Sequence, residues 1–86
     1  MRQVWKFDVD ANESPVNMPE YAQILSAGFQ GDTLVVWALV DIENKLTPRK
    51  ICVRGTGHNI HLKNLFFIQT VFKDSLVFHI FEDIEL

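Results

Sequence analysis

The chain is 86 residues long and 48% apolar, with seven Phe and two Trp, and carries a formal net charge of −3. That length fits one domain; so small a domain buries only about 60–65% of its unfolded surface, but each buried aromatic removes about 150–250 Å² from water, so a core forms without staples. The single cysteine, Cys52, excludes an internal disulfide and fits a reducing cytoplasm, the opening Met1 to Lys6 has no apolar stretch of the signal-peptide kind, and the longest apolar run, the seven residues Leu34 to Val40, is far below the roughly 20 of a spanning helix.

The apolar period is two almost everywhere. Trp5, Phe7 and Val9 alternate with Lys6 and Asp8, which predicts a half-buried first strand. Residues 10–20 read as loop, broken by Asn12, Ser14, Pro15, Asn17 and Pro19. A second strand is expected from Ala22 to Phe29 and a third from Thr33 to Asp41, joined by a hairpin at Gln30-Gly31-Asp32. Leu34 to Val40 is apolar on both faces, the pattern of a central strand or of one lying between a core and a second apolar surface.

A polar connection, residues 42–48, leads to a fourth strand from Arg49 to Arg54. It places Ile51 and Val53 on one face and Lys50, Cys52 and Arg54 on the other. Residues 55–64 read as loop, with at most one helical turn around Leu62 to Leu65. Two last strands, Phe66 to Phe72 and Leu76 to Phe81, form a hairpin at Lys73-Asp74-Ser75. The fold class is therefore all-β, a small antiparallel barrel or sandwich of about six short strands. Its expected core is Trp5, Phe7, Val36, Trp37, Ile51, Val53, Phe78 and Ile80. A sheet of this size cannot cover both of its apolar faces, so a homodimer is expected.

Charge is segregated along the chain. Residues 1–44 hold seven acids and two bases, 45–73 hold six bases and no acid, and 74–86 hold four acids. Inside the basic stretch lies Arg54-Gly55-Thr56-Gly57-His58. Two glycines two residues apart can expose successive backbone N–H groups, and Arg54 and His58 flank them, the parts of an anion site. The candidate ligand- or partner-binding set is Arg54, Thr56, Gly57 and His58, with Arg49, Lys50 and Lys63 as electrostatic support. The competing reading is a plain turn out of the fourth strand, since Gly marks turns more often than sites. The matching bland reading of the charge pattern is cross-strand ion pairs between basic and acidic segments.

Other chemistries are poorly supplied. His58, His61 and Cys52 give at most three metal ligands with no nearby carboxylate, so no metal is expected. Cys52 lacks the neighbouring base a nucleophile needs and reads as an ordinary buried thiol. His79 shares a strand face with Val77 and Phe81, as a hydrogen-bonded core or interface histidine would. No Ser/His/Asp or paired-carboxylate set is visible, so neither catalytic residues nor a cofactor is expected. A pI of about 5.4 argues against nucleic acid, for which domains above 9 are usual. Phe66, Phe67 and Phe72 alternate as core residues do.

Five ordered blocks are distinctive: Val4 to Phe7, Pro19 to Ser26, Trp37 to Asp41, Arg54 to His58, and Leu76 to Glu82. Together they resemble a family of small proteins of phages and of bacterial genomes carrying prophages, known only as a domain of unknown function. The turn at Lys73 to Ser75 is shorter than the Gly-rich form of that family, and the segment after His58 lacks its Pro. The resemblance implies a bacterial cytoplasmic setting and no mechanism. On it rests the expectation of a non-enzymatic interaction protein, an accessory factor whose partner is a host or phage protein. The alternative is a small-ligand binder that captures a nucleotide or another phosphate-containing molecule at the Arg54 to His58 loop.

Overall fold

The computed structural model describes residues 1–84, and among them it has seven strands and no helix. These are β1 Arg2–Val9, β2 Val16–Pro19, β3 Gln23–Gln30, β4 Thr33–Asp41, β5 Leu46–Gly55, β6 Leu65–Lys73 and β7 Leu76–Asp83. They form two antiparallel sheets, β1-β4-β3 and β2-β5-β7-β6, packed as a sandwich rather than closed as a barrel.

The all-β expectation holds, and the strand count rises from six to seven. The added strand is β2, paired through Val16, Asn17, Met18 and Pro19 with Arg49 to Leu46 of β5. Prolines bracket it, and they are tolerated because β2 is an edge strand with one side free of ladder bonds. The same pairing starts β5 at Leu46, inside the segment expected to be a connection. Pro48 fits there because β7 pairs with β5 only from Lys50 onward. No helical turn forms near Leu62; residues 58–64 are irregular.

β4 is the central strand of its sheet. Its inner residues Leu34, Val36, Ala38 and Val40 are buried against Val16, Met18, Ile51, Val71 and Ile80 of the other sheet. β1 sets Val9, Phe7 and Trp5 opposite Leu34, Val36 and Ala38, and so aims them at the same core. Val36, Ile51 and Ile80 are fully buried, whereas Trp5, Phe7, Val53 and Phe78 pack on the core and stay partly open.

Trp37 corrects the expectation. It points outward with Val35 and Leu39, and its ring lies where a methyl on Gly28 would touch it at 3.4 Å. Lys6, opposite Trp37, reaches across β4 to donate to Gln30 Oε1 at 2.7 Å. Val35, two residues from Trp37 on the same outward face, is 1% exposed. Of the outward residues of β4, Val35 is buried while Trp37 and Leu39 stay partly open.

Both tight hairpins have two-residue loops, and each opens on a residue of positive φ. Gly31 has φ 60° and Asp74 has φ 53°. The sheets meet at a corner where β3 and β6 run together. There a bulge between Phe67 and Gln69 turns the Gln69 side chain to accept the Ala27 N–H at 2.9 Å.

Candidate functional site

The seven candidate residues start from β5. Period-two alternation puts Lys50, Cys52 and Arg54 on the outer face of its sheet and Arg49 on the inner face, among the core strands. Arg54 is half-buried. Its Nη1 donates to both oxygens of Glu13 at 3.2 and 3.0 Å and to the Val53 carbonyl at 2.8 Å. Glu13, itself at a positive φ of 56°, comes from the β1–β2 loop and reaches over the outer face to do this. An anion arriving at Arg54 therefore meets a guanidinium already held by a carboxylate.

After Gly55 the chain turns, closed by the His58 N–H donating to the Gly55 carbonyl at 3.1 Å. Gly57 takes the left-handed φ of 85° that this turn needs. The His58 ring folds back over Gly55, where an added Cβ would lie 2.8 Å from ring carbon Cε1. Thr56 is exposed, and its hydroxyl lies 2.7 Å from His79 Nε2. The other ring nitrogen, Nδ1, lies 2.9 Å from the Thr70 hydroxyl. Turn, β7 and β6 are thus tied through one imidazole.

The support residues divide. Arg49 forms a paired bridge to Glu82, with Nη2 donating to Oε1 at 2.9 Å and Nε to the other oxygen, while Nη1 donates to the Ala22 carbonyl at 2.9 Å. Glu82 strengthens the hold of the Arg49 guanidinium on its proton, against the opposing effect of burial. Lys50 faces Asp83 at 3.6 Å. Lys63 is exposed at the far end of the irregular segment that runs back from β5 to β6. Leu65 and Lys50 share a partner in Asp83, and Val71 and Gly55 share Phe78, so this segment spans the length of the sheet. Arg54, Thr56, Gly57 and His58 stand together at one end, with Lys50 and Lys63 toward the other. Arg49 lies on the opposite face.

The segregated charges resolve into four ion pairs, Arg49–Glu82, Lys50–Asp83, Arg54–Glu13 and Lys73–Asp32, each joining the basic middle to an acidic flank. Between the β1–β2 loop and the ends of β5 and β7 lies an open groove of about 830 Å³, with the Arg49–Glu82 bridge in its wall and Tyr21 at its rim. Cys52 is fully buried beneath Glu13. Burial first, and then the Glu13 charge, pushes its thiol pKa up, so it stays protonated and unreactive. Among the described residues no group of three or more His, Cys, Asp or Glu converges as metal ligands would, and no helix is long and apolar enough to cross a membrane.

All of residues 1–86 match the family described as Domain of unknown function (DUF7352). The chain belongs to that family. No curated protein and no solved structure matches it.

In this DUF7352 chain the most exposed apolar surface lies outside the candidate loop. Phe66, Phe67 and Phe72 of β6 are 65%, 61% and 71% exposed, and Leu76, opposite Lys73 at the start of β7, is 56% exposed. Their alternation marks a strand but does not say which face is covered. The signal that separates them from core residues is position: on this edge strand Phe67 and Phe72 pair with Phe81 and Val77 on the outer face, and Phe66 pairs with Glu82 near the strand's end. The Thr56–His79–Thr70 link and the Glu13 contact were equally hidden, because their members come from distant segments.

Proposed function

We propose that this DUF7352 protein is a non-enzymatic interaction protein, a phage or prophage accessory factor that binds a host protein in the bacterial cytoplasm, such as a defence protein, and alters its activity. The setting rests on the five sequence blocks. The binding mode rests on one observation: three phenylalanines of a single edge strand stand about two-thirds in water. Phe67 and Phe72 lie on the outer face of the sheet and Phe66 on the other; exposed apolar surface of this kind marks a protein contact, and aromatic residues dominate the energetics of such contacts. The polar groups of the Arg54 to His58 region add contacts at the border, with Thr56, Gly57 and His58 exposed there.

The test is capture from host lysate followed by titration of the purified captured protein against the wild-type chain. One saturable partner is the expected result. A thermal-melting panel of nucleotides and inorganic phosphate runs beside it, because a ligand at 100 times its Kd adds about 2.7 kcal/mol of stability. A flat panel with a captured partner supports the interaction reading. A stabilising nucleotide without any partner overturns it in favour of anion capture at Arg54.

A further inference from the structure

We infer that β1 is a strand-addition edge, and that its occupant is the β1 of a second copy, laid antiparallel across a two-fold axis at Trp5. β1 and β2 flank one side of the sandwich and β3 and β6 the other. The inference therefore concerns a surface away from the β6 phenylalanines and does not depend on the interaction reading.

Each sheet ends in two edge strands, and a free edge is a row of unpaired N–H and C=O groups that accepts another strand. Three of the four edges are blunted. β2 is four residues long and ends on Pro19. β3 and β6 are each bulged, between Ile24 and Ser26 and between Phe67 and Gln69, and they meet at the corner that Gln69 ties. β1 has none of these devices. Its eight residues hold an unbroken register with β4 and include no proline.

Bonding parity decides which groups of β1 are free. The Ile42 N–H donates to the Met1 carbonyl at 3.1 Å. Bonded and non-bonded pairs alternate along an antiparallel ladder, so Gln3, Trp5, Phe7 and Val9 bond to β4. Arg2, Val4, Lys6 and Asp8 turn their backbone groups away from it. All four residues are exposed, and among the described residues those backbone groups have no partner.

The side chains then select the register. A two-fold axis at Trp5 engages all four free residues of each copy, and sets Arg2 on Asp8 and Val4 on Lys6, each twice. An axis at Val4 engages three and sets Arg2 on Lys6. One at Lys6 engages three and sets Lys6 on Lys6. Axes nearer the ends engage only two. Opposite charges stabilise cross-strand pairs and like charges destabilise them, so the Trp5 axis gives the self-complementary contact that an isologous dimer requires.

In that register four pairs exchange two N–H···O bonds each, and the two three-stranded sheets join into one of six strands. Trp5 meets its mate in the central non-bonded pair, where side chains come closest. Its ring is half-buried and leans on Phe7, and its indole N–H already donates to Gln3 Oε1 at 2.8 Å. Covering it removes apolar surface from water and orphans no donor. With the other edges blunted, addition stops at two copies.

Sedimentation and light scattering across the micromolar to millimolar range read the mass. The wild type is expected at twice its 9.9 kDa. Val4→Pro removes an outward N–H and puts a ring in the path of the added strand, while the β1–β4 ladder keeps its bonds. It should be folded by circular dichroism and monomeric. A monomeric wild type overturns the inference, whatever host protein it binds, and so does a folded Val4→Pro that stays dimeric. Should Val4→Pro not fold, charge reversal decides. Arg2→Asp and Asp8→Arg each set like charges opposite one another and should each weaken the dimer about tenfold. An equal mixture of the two should regain at least the wild-type affinity, because unlike chains restore both ion pairs. A mixture that associates no more tightly than either variant alone overturns the two-fold register.

Discussion

Arg49 and Glu82 form a bridge on the inner face of the four-stranded sheet, with side-chain exposures of only 21% and 11%. Removing one partner of such a pair costs more than the pair contributes, because the other charge is left with neither water nor a counter-ion. Arg49→Ala also strips the Ala22 carbonyl of its donor. The expected loss is about 3 kcal/mol in urea unfolding, and Arg49→Met with Glu82→Leu should recover most of it. A single variant as stable as the wild type would show that water already screens the bridge. Cys52 offers a second residue-scale test. Its protonated, covered thiol should react with a disulfide reagent only as fast as the chain opens, so the rate should follow unfolding across a denaturant series. Fast modification at low denaturant would mean that Glu13 does not cover it.

At the level of elements, the two tight hairpins have the same geometry with different residues. Gly31 opens the β3–β4 turn at a φ that glycine adopts freely, and Asp74 opens the β6–β7 turn in the same region at a steric cost. Asp74→Gly should therefore stabilise the protein by about 0.5–1 kcal/mol, seen as a higher melting temperature. A lower one would mean that the Asp74 side chain holds the turn in a way its backbone does not reveal. These hairpins were legible in sequence because alternation and a turn residue coincide. β2 was not, because the three residues between Pro15 and Pro19 carry no periodic signal, and only pairing with Leu46 to Arg49 makes Val16–Pro19 a strand. The candidate loop was legible as a turn because its residues are contiguous. Its electrostatics were not, since Arg54 meets Glu13 across 41 positions and Arg49 meets Glu82 across 33. Alternation likewise gives Phe67 and Phe72 the same signature as buried Ile80; only the topology shows which side lies bare.

At the scale of the whole molecule, charge segregation along the chain becomes charge pairing in space, and this sets the response to acid. Asp10, Asp32 and Asp41 all have carboxyl pKa values below the ordinary aspartate range. For Asp10 the first cause is the Ser14 backbone N–H, for Asp32 it is the Lys73 ammonium, and for Asp41 it is the Glu43 N–H. A carboxyl with a folded pKa below its unfolded one gives stability that is fully present above the unfolded value, about 3.9. That stability is lost as pH falls through the folded value. The three sit in the β1–β2 loop, the β3–β4 hairpin and the end of β4, so acid loosens several connections together. Lys73 adds nothing to this limb, since Asp32 raises its pKa and its contribution is lost only in strong base. The melting temperature should stay level from neutral pH to about 4.5 and then fall steadily. Asp32→Asn should start lower and fall less steeply, because it has already lost the Lys73 contact that acid removes. A melting temperature that rose below pH 4, or an Asp32→Asn curve parallel to the wild type, would mean that the unfolded chain gains as much from these carboxylates as the folded one.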